Sequence, residues 1–144
     1  MKNTISLMLL FLFLISASLV KQSTFKKKIV GVWLFGECSS TETLTCLNKV
    51  SKFDNDQAGI QFKKNGKLVK RQNSGRCGTP PISYGNYNGT WKATGESTLT
   101  ITYAFFGGTM EEDWKIIETS DKKLKISVLD SRTKMKIPLS KLQN

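Results

Sequence analysis

From Ile29 onward, apolar and polar residues alternate in short runs divided by turn residues, the pattern of β-strands that bury one face. No stretch after that point repeats at a helical period. Ile29 to Glu37 departs from simple alternation: Gly31, Trp33 and Phe35 share one face, and Val30, Val32 and Leu34 fill the other. Such a strand is expected to be covered on both sides, or shielded outside by the chain that precedes it. A polar turn at Ser39 to Glu42 leads to a second candidate strand, Thr43 to Phe53. Ile60 to Val69 is the clearest hairpin, because Asn65-Gly66 tolerates the positive φ angles of a type I′ turn. Gly75 to Gly89 loses alternation and reads as a long loop, which Thr79-Pro80-Pro81 holds partly extended. Further strands are expected at Thr90 to Thr94, Thr98 to Phe106, Met110 to Glu118, Lys123 to Leu129 and Thr133 to Leu139. Pro138 marks the last as an edge or a strand end. Consecutive hairpins without a long crossover predict an all-β fold: an antiparallel up-and-down barrel of about eight to ten strands.

The first residues follow a different rule. Lys2 precedes an apolar run from Ile5 to Ile15, and Ser16-Ala17-Ser18 offers the small residues of a leader cleavage site. The run is shorter than the roughly 20 apolar residues of a membrane span. An export leader over 1–18 is therefore expected, with an N-terminal arm at 19–28 and a single barrel domain at 29–142. Retention of the leader as an anchor is the alternative; once it is cleaved, no transmembrane span remains. No cysteine follows the run, so the lipid-anchored kind of leader is not indicated.

Composition narrows the function. The formal charge is +11, and loss of Lys2 would leave +10, which draws the chain toward anionic surfaces. Export makes acidic glycans or phospholipid head groups more fitting counterparts than nucleic acid, while simple solubility explains the charge equally well. Histidine is absent, which removes the usual general base and the commonest nitrogen ligand of zinc. No catalytic residues, metal site or cofactor are expected, and the chain is expected to be a monomer. Three cysteines, Cys38, Cys46 and Cys77, predict one disulfide and one leftover thiol in an oxidising compartment. Loop entropy does not choose among the pairings; flanking the turn between adjacent strands favours Cys38 with Cys46.

Gly31-Val32-Trp33 on the first strand resembles the lipocalin signature, in which the tryptophan closes the barrel floor. A second Gly-x-Trp, Gly89-Thr90-Trp91, together with Gly75-Arg76-Cys77-Gly78-Thr79-Pro80-Pro81-Ile82, resembles small exported lipocalin-like proteins of Gram-negative bacteria. The likeness runs from about Val30 to Val128. It lacks the Thr-Asp-Tyr-like turn of true lipocalins, and Arg132 is the positional candidate for the basic residue that packs over the floor tryptophan. The resemblance implies a calyx for a small apolar or amphipathic molecule.

Trp33, Phe62, Trp91, Tyr103 and Trp114 are the candidate pocket lining, offering apolar walls with polar edges. Equally, they can fill a small barrel solid. Cys77, Pro80, Pro81 and Tyr84 are the candidate loop or lid over one end. The alternative to a calyx is a solid interaction module whose basic surface or Gly75 to Gly89 loop binds an envelope protein, anionic glycan or lipid. Three weaker motifs are set aside. Asp54 to Gly59 imitates half of a calcium loop but meets Asn65 where a glutamate is needed. Glu111-Glu112-Asp113 reads as a solvated strand end, since neighbours on a strand face opposite ways. Ser120 to Lys123 has a catalytic spacing that requires a helix, and it falls in a turn.

Overall fold

The computed structural model describes residues 25–38, 44–74, 82–105 and 107–135. They form eight strands: β1 (Gly31–Gly36), β2 (Thr45–Val50), β3 (Gly59–Phe62), β4 (Lys67–Asn73), β5 (Tyr84–Ala93), β6 (Thr98–Phe105), β7 (Gly108–Thr119) and β8 (Lys123–Met135). All pairings are antiparallel and the sheet closes on itself in the order β1-β2-β8-β7-β6-β5-β4-β3. This is the expected all-β barrel, a meander from β3 to β8. Among the described residues no helix is long and apolar enough to cross a membrane. The expected leader at 1–18 and the first part of the arm lie outside the described residues.

One end is sealed by the chain's entry. Residues 25–29 form a helical turn rather than strand, and Phe25 and Ile29 sit in the core beneath the barrel. Gly31 makes the change of direction possible: its φ of +144° lies where side chains rarely go. The Trp33 indole then donates 2.7 Å to the Ile29 carbonyl, tying the first strand to its own lead-in. The β3–β4, β5–β6 and β7–β8 turns lie at this closed end. Their positions are linked by backbone bonds from Trp91 N to Gly66 O, Ile116 N to Ser97 O and Lys49 N to Lys122 O.

The first hairpin explains a strand that is apolar on both faces. β1 pairs with β2 on one side and β3 on the other, so β2 and β3 run in the same direction and residues 51–58 must carry the chain back across β1. Phe35 N donates to Ala58 O at 3.1 Å and Gln57 Nε2 to Phe35 O at 2.6 Å, which fixes the upper end of that link. Phe53 lies against Gly59 beside Leu34, and Val32 and Leu34 are buried. Among the described residues this crossing link, rather than the N-terminal arm, covers the outer face of β1.

Two expectations are corrected. The long loop expected over Gly75 to Gly89 gives up its second half, because β5 begins at Tyr84 and pairs with β4 as far as Tyr84↔Asn73. Its inward positions, Gly85, Tyr87 and Gly89, are small or amphipathic, so apolar alternation could not reveal the strand. The two final strands are one: β8 runs without a break to Met135, and a bulge shifts the register between Trp114↔Val128 and Asp113↔Asp130. The extra residue, Leu129, reverses which side chains face inward, which broke the pattern in the sequence. Pro138 lies outside the described residues. β8 also outruns β2, its pairing there ending at Ile126, so the barrel rim is low over β1 to β3 and high over β7 and β8.

Candidate functional site

Inward-facing side chains stack in two storeys. The lower storey is apolar and holds four of the five aromatic candidates: Trp33, Phe62 and Trp114 are 1 % exposed or less, and Trp91 7 %. Phe62 meets Trp91 and Trp114 edge to face, with ring centroids 5.6 and 6.2 Å apart. Leu47, Leu68, Ile101 and Ile126 fill the spaces between. Each indole N–H is bonded, Trp33 to Ile29, Trp91 to the Lys63 carbonyl at 2.9 Å, and Trp114 upward to Glu112 Oε2 at 2.7 Å.

The upper storey is polar. Tyr103, the fifth candidate, is 4 % exposed and stands one inward position above Ile101 on β6. Its hydroxyl donates 2.5 Å to Glu112 Oε1 and accepts 2.8 Å from Lys70 Nζ. Lys70 completes the triangle through an ion pair of 3.2 Å with Glu112 Oε1, the two side chains being 10 % and 13 % exposed. The ammonium lies 4.0 Å from the Tyr103 ring centroid, with the rings of Phe35 and Trp114 at 6.0 and 5.9 Å. Glu112 thus accepts bonds from three side chains. Lys70, with three donors and two acceptors among the described residues, keeps one N–H uncommitted there.

Burial pushes the Lys70 ammonium below its ordinary value, against the upward pull of Glu112's charge and hydrogen bond. Burial raises the Tyr103 hydroxyl, and the bond to Glu112 raises it further. At neutral pH Tyr103 therefore keeps its proton and serves as a donor to Glu112. A buried charge pair of this kind stabilises little by itself, because desolvation offsets the attraction. Above the pair the inward positions loosen: Met110 is partly buried, and exposed Ser131 and Thr133 each direct a hydroxyl to its sulfur at 3.3 Å.

Sequence reasoning missed Lys70 and Glu112, and it assigned Glu112 to a solvated strand end. The available signal was phase. Lys70 keeps step with inward Leu68, and Glu112 with inward Met110 and Trp114, so each is a charge on an apolar face. Glu111 and Asp113 do face outward, where Arg132 reaches them at 3.1 and 2.6 Å. Arg132 is thereby displaced as the partner of the floor tryptophan. Lys49 on β2 takes that place, its ammonium 5.1 Å from the Trp33 ring.

Both Gly-x-Trp glycines have spatial causes. A Cβ on Gly89 would lie 2.1 Å from the Thr102 carbonyl oxygen, and one on Gly31 would lie 2.7 Å from Lys49 Cε. Of the expected lid, Tyr84 begins β5, half-buried, while Cys77, Pro80 and Pro81 lie outside the described residues. Cys38 and Cys46 are bonded, with Cα atoms 5.4 Å apart, and join β1 to β2 at the upper rim. Among the described residues no group of three or more acidic or cysteine side chains is placed to hold a metal.

Residues 29–126 match the family model described as a lipocalin-like domain. No curated protein and no solved structure matches the chain.

Proposed function

The chain belongs to the lipocalin-like domain family, and from that premise we propose that it is an exported, non-enzymatic binding protein for a small amphipathic molecule. Members of this family are generally binding proteins. The single observation that carries the reading is a polar triangle of Lys70, Tyr103 and Glu112 set between a packed apolar floor and the looser upper barrel. A ligand's apolar body would lie against Phe35, Tyr103 and Met110, and an acidic head would take the uncommitted donor of Lys70. Glu112 is already occupied by Tyr103 and Trp114, so it orients the lysine rather than meeting the ligand. The Cys38–Cys46 bridge supports an oxidising compartment and hence export.

Titration of intrinsic fluorescence tests this, because Trp114 is bonded to the triangle. Medium-chain carboxylates are expected to bind about tenfold more tightly than alcohols of equal length, the size of a charge-assisted hydrogen bond. Lys70→Met is expected to abolish that preference. Equal affinity for acid and alcohol would remove Lys70 from the reading, and no response to either would remove the ligand.

The nearly complete burial of Trp33, Phe62 and Trp114 favours a second reading, a solid interaction module. It predicts silence in the same titration, together with capture of an envelope protein or glycan by the outer surface.

A further inference from the structure

We infer that the closed end of the barrel docks on an anionic phospholipid bilayer and holds the mouth away from it. Four segments build this end: the helical turn at 25–29 and the β3–β4, β5–β6 and β7–β8 turns. Between them they carry six lysines, Lys26, Lys27, Lys28, Lys63, Lys64 and Lys122, against two carboxylates, Glu96 and Asp121. All six lysines are exposed, and none is paired with a carboxylate among the described residues.

The tall β7–β8 wall at the other end differs. There Arg132 is met by Asp113, Glu111 and Asp130 at 2.6, 3.1 and 3.2 Å, so its charge is neutralised within the fold. Among the described residues the unpaired lysines therefore concentrate at the sealed face, and their field points out of it.

Two further observations choose a bilayer over another polyanion. A recess of about 540 Å³ opens between the helical turn and the β3–β4 turn, lined by Val30 and Trp91 and by the stems of Lys26, Lys27 and Lys64. An apolar floor with a lysine rim suits the boundary between head groups and acyl chains, where lysine stems lie along apolar surface with their ammonium groups in water. The chain also enters the fold here: the 24 residues ahead of Phe25, including the apolar run from Ile5 to Ile15, join the barrel at this face. Whether that run is removed or retained, the lysines that follow it lie where a basic segment meets anionic lipid.

The full chain, floated with vesicles of phosphatidylcholine alone or with about a third phosphatidylglycerol, tests the inference. Neutral vesicles report whatever the apolar run binds by itself, so the anionic increment is the readout. That increment is expected to be about tenfold or more, to fall with added salt, and to vanish when Lys26, Lys27, Lys63 and Lys64 are all changed to Gln. A control carrying Lys125→Gln and Lys134→Gln, toward the other end of the barrel, is expected to keep most of it. Equal loss in the control would overturn the docking face, leaving only net charge. Absence of an anionic increment, or tighter binding to soluble heparin or duplex DNA than to the vesicles, would overturn the bilayer itself. Circular dichroism of each variant confirms that it has folded. The test is independent of the ligand titration, since none of these lysines faces the triangle.

Discussion

The lower and upper storeys of the barrel use the same alternation of strand residues and reach opposite interiors. Below, the buried inward positions are aliphatic or aromatic, and the indole N–H groups turn outward to carbonyls or upward to Glu112. Above, two charges of opposite sign enter the same interior and are joined by a tyrosine hydroxyl that accepts from Lys70 and donates to Glu112. The lower storey fixes the shape of the protein through buried area and fit. The upper storey contributes little net stability, because two desolvated charges roughly cancel their own attraction. Charges retained at such a position fit recognition better than folding.

The largest expected effect breaks the lower storey. Trp33→Ala should cost about 3–5 kcal/mol by chemical denaturation, since it leaves a cavity beneath β1 and frees the Ile29 carbonyl. A loss below about 1 kcal/mol would mean that the floor can collapse and that the core is less specific than its burial implies.

Glu112→Gln comes next, at about 2–3 kcal/mol. It preserves shape while leaving Lys70 buried without its countercharge, and the modest exposure of the pair lowers the penalty from that of a fully buried charge. The double variant Lys70→Met, Glu112→Gln should recover most of that loss. If it does not, the upper storey is a stabilising network after all.

Opening the Cys38–Cys46 bridge by Cys38→Ser with Cys46→Ser should cost about 2 kcal/mol, the loop entropy of a short closed segment. Affinity for the carboxylate ligand should be unchanged, because the bridge sits on the rim. Thermal melting alongside the fluorescence titration separates the two effects.

The pH response sharpens the upper storey further. Between the depressed value of Lys70 and 10.5, the unfolded chain carries the proton and the folded chain does not, so this group favours folding more as pH rises through that window. The same loss of charge weakens the hold on a carboxylate. Affinity should thus fall by up to about tenfold before exposed lysines titrate, and it should stay flat in Lys70→Met. The smallest effect belongs to Arg132→Ala, whose denaturation midpoint should stay close to that of the parent, because the guanidinium and its three carboxylate partners remain open to water.

Much of the barrel was legible because its cause is local. Asn65-Gly66 dictates a tight turn, and Leu99, Ile101 and Tyr103 alternate with threonines as a half-buried strand must. Bonding of Cys38 to Cys46 followed from their place around one turn. The missed elements share a different cause. β5 from Tyr84 to Asn88 presents glycine and tyrosine inward, since it lines the wetter storey. β8 looked like two strands because a bulge at Leu129 changes the phase and Asp130-Ser131 then follow as turn formers would.

By itself the sequence determined a basic, antiparallel β-meander with tryptophans on inward phase, because side-chain period and turn chemistry act over a few residues. Tertiary structure alone decided that residues 51–58 would cross over β1 and bury its outer face. It alone brought Lys70 of β4 to Glu112 of β7, and Lys49 rather than Arg132 to Trp33. Those partners lie far apart along the chain, and closure of the sheet sets which inward positions share a level.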